Sequence, residues 1–87
     1  MHEWSVIISL LRAIESAAAA HGASRVVGAT VAIGPWSGFS EEHFREHFAL
    51  GSRGSIAEGA RLTIEVRREV DDPRARAIVL ERIEVAE

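Results

Sequence analysis

No cysteine occurs anywhere in the 87 residues. That excludes disulfides, thiolate zinc sites and a cysteine nucleophile, and it accords with a reducing compartment. No apolar run approaches the length of a membrane span. The N-terminus is acidic and has no basic leader region, so neither a signal peptide nor a membrane segment is expected; the expected location is cytoplasmic. There is no excess of positive charge: 13 acidic against 10 basic residues give a net charge of −3. With no basic patch and no interleaving of basic and aromatic residues, nucleic acid is not an expected partner. Gly-rich phosphate loops of the P-loop or dinucleotide type are absent, since Gly51-Ser52-Arg53-Gly54 lacks the spacing. No Ser/His/Asp arrangement stands out, and the residues make no case for an enzyme.

What is present is enough apolar material, 47 % of residues, for one small packed domain over residues 1–87. The first three residues, Met1-His2-Glu3, carry the clearest chemistry. A free Met1 α-amine, the His2 backbone amide nitrogen and His2 Nδ1 can close two fused chelate rings on one ion. Glu3 can add its own amide nitrogen or its carboxylate. Nitrogen-rich planar sets of this kind suit Ni(II) or Cu(II) rather than Mg or Ca. An α-amine titrates at about 7.7–8.0 and an imidazole at about 6.5, so both can bind metal near neutrality. The ordinary alternative for such a stretch is a loose chain end.

Along the chain, Trp4, Ile7, Leu11, Ile14 and Ala18 fall at helical spacing, flanked by Ile8 and Leu10. They predict a helix over residues 4–21, stopped by His21 and Gly22. Residues 25–34 alternate as a strand, with Val27, Ala29, Val31 and Ile33 in one phase and Val26, Gly28, Thr30 and Ala32 in the other. The second set is small and almost uncharged. Such a face either packs on another chain, which with the small core favours a homodimer, or is simply exposed. Trp36, in the loop Gly34–Gly38, either caps the core or forms an exposed contact. Ser40 predicts the N-cap of a second helix over about residues 41–50, with Glu41 and Glu42 in its first turn and Phe44 and Phe48 buried. Gly51 and Gly54 are expected to end it. Strands are expected over 61–70 and 76–85, separated by an Asp71-Asp72-Pro73 turn. A change of alternation phase predicts a bulge near Glu81-Arg82.

The expected fold class is therefore α+β in two layers: two helices on one face of a three-stranded mixed sheet, in the order α-β-α-β-β. The first two strands are expected to be parallel through a right-handed crossover. The last two are expected to form an antiparallel hairpin.

The run His43-Phe44-Arg45-Glu46-His47 carries the inverted zincin pattern H-x-x-E-H. A peptidase needs a third ligand and a cleft, for which this chain has little room. His47 also borders the Phe44/Phe48 stripe and is equally read as partly buried. A secondary metal-binding role for the His43/His47 pair is the intermediate alternative.

Taken together, several segments resemble the HypA/HybF family of hydrogenase and urease nickel-incorporation metallochaperones. They are the Met1-His2-Glu3 start with Trp4-Ser5, His21-Gly22-Ala23, Ile33-Gly34 before Ser37-Gly38, the stretch Arg53-Gly54-Ser55-Ile56-Ala57-Glu58-Gly59-Ala60-Arg61-Leu62, and Ile83-Glu84-Val85. The resemblance implies Ni(II) bound through Met1, His2 and Glu3. It also implies delivery to a maturation protein or apo-enzyme of the hydrogenase or urease type. Family members insert a zinc domain with paired C-x-x-C motifs before the last strand. Only about residues 69–74 stand there in this chain, so no zinc is expected. The rival expectation is a non-metal adaptor that keeps the fold and has lost delivery.

Overall fold

The computed structural model describes residues 2–69, 71 and 76–86, and for His2 the main chain alone. The elements are α1 (His2–Ala20), β1 (Val26–Ile33), α2 (Glu41–Gly51), β2 (Arg61–Val66) and β3 (Ile78–Val85). The sheet order is β2-β1-β3, with β1 parallel to β2 and antiparallel to β3. Both helices pack on one face, as the fold class anticipates.

Each helix end has a local cause. Helix α1 stops in a Schellman arrangement: Ala23 N–H donates to the Ala18 carbonyl at 2.9 Å and Gly22 N–H to that of Ala19 at 3.0 Å. Gly22 takes φ +66°, a conformation glycine adopts without Cβ strain. Ser40 caps α2, its Oγ accepting from His43 N–H at 3.1 Å. Gly51 does not follow α2 but is its last residue. Helix α1 begins two residues earlier than the apolar stripe predicts, at His2.

The core joins Ile7, Leu10, Ile14 and Ala18 of α1 to Val26, Ala29, Val31 and Ile33 of β1 and to Phe44 and Phe48 of α2. Leu10, rather than Leu11, is the buried leucine of α1. Val26 joins the core because β1 carries an extra residue, Val27, between the pairs Val26↔Val85 and Gly28↔Glu84. Val27 is thereby turned out and is 42 % exposed. The predicted bulge on β3 is present: Arg82 faces Thr30 and Leu80 faces Val31, leaving Glu81 as the extra residue.

Two expectations are corrected. Strands β2 and β3 do not form a hairpin, because both pair with β1, which lies between them. Strand β1 is built of small and apolar residues throughout, so it tolerates a neighbour on each edge. Strands β2 and β3 carry exposed charge, as edge strands commonly do. In addition, the uncharged set is not a bare surface. Gly28, Thr30 and Ala32 are buried under side chains of this same chain. Arg61 of β2 pairs with Glu84 of β3 at 2.5 Å directly across Gly28, and Arg67 pairs with Glu81 at 2.5 Å. The face read as a dimer surface is covered from within, which removes the motive for association through it.

Strand β2 ends at Val66 rather than residue 70, and Arg67 N–H still donates to the Ile33 carbonyl. Val70, Asp72 and Pro73, parts of the predicted strand and turn, lie outside the described residues.

Candidate metal centre

The start of α1 lies against the middle of α2. Gly51 permits that approach: a Cβ there would stand 2.8 Å from Ile7 Cγ2 and 3.3 Å from Trp4 Cζ3. One turn earlier on α2, His47 meets the first residues of the chain. The indole of Trp4 and the His47 ring have centroids 4.9 Å apart at a 60° tilt. Glu3 Oε1 lies 3.4 Å from His47 Nε2, with side-chain exposures of 45 % and 19 %.

The other nitrogen of that imidazole is committed. His47 Nδ1 lies 2.8 Å from the His43 carbonyl oxygen. A carbonyl only accepts, so Nδ1 carries the proton in this bond. The second ring nitrogen, Nε2, faces the Glu3 carboxylate. Metal-bound histidines commonly have this support, donating the second ring N–H to a backbone carbonyl or carboxylate.

Of the residues expected to bind metal, Met1 and the His2 side chain lie outside the described residues. The His2 main chain and Glu3 lie in the first turn of α1. The first four amides of a helix have no intrahelical acceptor. The His2 and Glu3 nitrogens are therefore not held in the helix ladder. The H-x-x-E-H reading is not supported. His43 and His47 stand edge to face with centroids 5.8 Å apart, and among the described residues no three His, Asp or Glu side chains converge on one point. The meeting of Glu3 with His47 is not visible in the sequence. Its one trace there is the position of His47 beside the Phe44/Phe48 stripe, on the side of α2 turned to α1.

The family model described as hydrogenase/urease nickel incorporation, metallochaperone, hypA matches residues 1–71, from the start of α1 to beyond β2. The chain is 47 % identical over 64 residues to a hydrogenase maturation factor HypA of Xanthobacter autotrophicus, covering 74 % of this chain and 57 % of that protein. It is 42 % identical over 65 residues to that of Escherichia coli K12, covering 75 % and 56 %. It thus spans about half the length of these curated relatives. The solution structure of the Ni metallochaperone HypA from Helicobacter pylori superposes with a TM-score of 0.84 at 20 % identity, over 98 % of this chain and 97 % of that one; this likeness concerns the fold.

Proposed function

Because this chain belongs to the HypA family of hydrogenase/urease nickel-incorporation proteins, we propose that it binds one Ni(II) at its N-terminus and hands it to a maturation partner or apo-form of a nickel enzyme. Nickel is cargo here, and the chain catalyses no reaction. Met1 supplies the amine, His2 the amide nitrogen and Nδ1, and Glu3 its amide nitrogen or an outer carboxylate. Release proceeds by ligand exchange with the partner, in the cytoplasm. The observation that carries this reading is the start of α1 at His2, which leaves the chelating amides outside the helical ladder.

The chain acts as a single nickel-binding domain without the family's zinc module. An internal loss accords with β3 following β2 and completing the sheet. The absence of cysteine removes the ligands that module needs. The adaptor reading loses its proposed surface, because the small-residue face is roofed by the Arg61–Glu84 and Arg67–Glu81 pairs.

Calorimetric titration of the untagged chain with nickel at neutral pH tests the proposal. One equivalent should bind. His2→Ala should weaken binding strongly, and so should added residues ahead of Met1, which convert the amine to an amide. Unchanged affinity in the extended chain would remove the terminus from the site.

A further inference from the structure

We propose that the groove between α1 and β3 binds a small aliphatic carboxylate, its charge met by Arg76 and its hydrocarbon body by an apolar floor. The groove shares no residue with the proposed nickel donors, and the inference does not depend on them.

The cavity has a local cause. Ser5, Ser9 and Ala13 of α1 are four residues apart and share one helical face. Their side chains are too short to fill the space before β3, and a cavity of about 370 Å³ stays open there. Leu10 of α1 with Ile78 and Leu80 of β3 form its floor. Ser37, from the loop after β1, and Arg76, from just before β3, complete the lining. Ser37 is held in place: its N–H donates to the Gly34 carbonyl at 3.2 Å, and its Oγ accepts from Phe39 N–H at 3.3 Å. The hydroxyl proton of Ser37 remains for another acceptor. An apolar floor with a few placed polar groups is the usual form of a small-molecule pocket.

Arg76 decides the class of ligand. Arg45, Arg61 and Arg67 are each paired with a glutamate, whereas among the described residues Arg76 has no hydrogen-bond or ion-pair partner. No acidic side chain among them lines the groove either. A guanidinium is always ionised and offers paired N–H donors that match the two oxygens of a carboxylate. The hydroxyls of Ser9 and Ser37 can donate to the same anion. One guanidinium balances one negative charge, which favours a carboxylate over a phosphate group. An inorganic anion would leave the floor unfilled, and a neutral hydrocarbon would leave Arg76 without a counter-charge. A carboxylate on a short aliphatic tail satisfies both.

The test titrates hexanoate into the untagged, metal-free full chain at neutral pH, followed by amide proton–nitrogen NMR. Shifts should concentrate on Ser9, Ala13, Ser37 and Ile78, with a Kd of about 1 mM, the scale that so small a ligand reaches. Hexanol and acetate each carry half of the recognised chemistry and should bind about tenfold more weakly or less. Arg76→Gln removes a hydrogen-bonded charge and should weaken hexanoate about 10–100-fold. Ser9→Leu fills the cavity from an exposed helix position and should abolish the shifts. The same spectra report whether each variant is folded. Equal affinity for hexanoate and hexanol, or unchanged hexanoate binding in a folded Arg76→Gln, overturns the carboxylate assignment. Shifts that are absent, or that lie away from the groove, overturn the site. Either result leaves nickel binding at the terminus untouched.

Discussion

Two glycines illustrate how a neighbour's mobility decides the cost of one methyl group. At Gly51 an added Cβ meets Ile7 Cγ2 at 2.8 Å, a branched side chain with no exposed surface. Ile7 cannot yield without displacing the core, so Gly51→Ala should destabilise by about 1–3 kcal/mol, even though alanine favours a helix over glycine by about 0.8–1 kcal/mol. At Gly28 the added atom collides with the Glu84 carboxylate. That group is the tip of a flexible side chain in a pair with Arg61 that is more than half exposed. Exposed pairs contribute about 0–1 kcal/mol, and replacing a strand glycine recovers about 0.5–1 kcal/mol. Gly28→Ala should therefore lie within about 1 kcal/mol of neutral. Urea denaturation of the two variants side by side measures the contrast. A neutral Gly51→Ala would show that the helices do not approach as closely as the Trp4 and Ile7 contacts require.

At the scale of elements, whatever is decided locally is legible in the sequence. Ser40 and Gly22 mark helix ends through their own hydrogen-bonding and backbone preferences, and the phase change at Glu81-Arg82 marks the β3 bulge. The cap at Ser40 should contribute about 1 kcal/mol, and Ser40→Ala should lose it, read as a lowered denaturation midpoint with unchanged slope. What the sequence hides has equally physical causes. Alternation within a strand says which side chains share a face, not which edge is paired, so it suggests a β2–β3 hairpin where both strands in fact pair with β1. One extra residue at Val27 moves Val26 from the outer face to the core, and a regular alternation cannot foretell it. The apolar stripe of α1 begins at Trp4, while the helix also takes in His2 and Glu3, which contribute little to that stripe. That difference matters most for the site. The donor-rich types of residues 1–3 are legible in the sequence, but the contact of Glu3 with His47 is not, because they meet only once Gly51 has let the two helices close.

For the molecule as a whole, the position of the ligands determines whether nickel stabilises the fold. A chelate built from Met1 and His2 alone is local, and an unfolded chain can form it nearly as well as a folded one. Metal that binds both states equally adds nothing to stability. With the proposed N-terminal chelate, saturating nickel should therefore leave the melting temperature nearly where it stands in the metal-free protein. Thermal melts followed by circular dichroism, with bound nickel measured in parallel, check this. A large rise with one equivalent bound would mean that a contact formed only on folding also holds the metal.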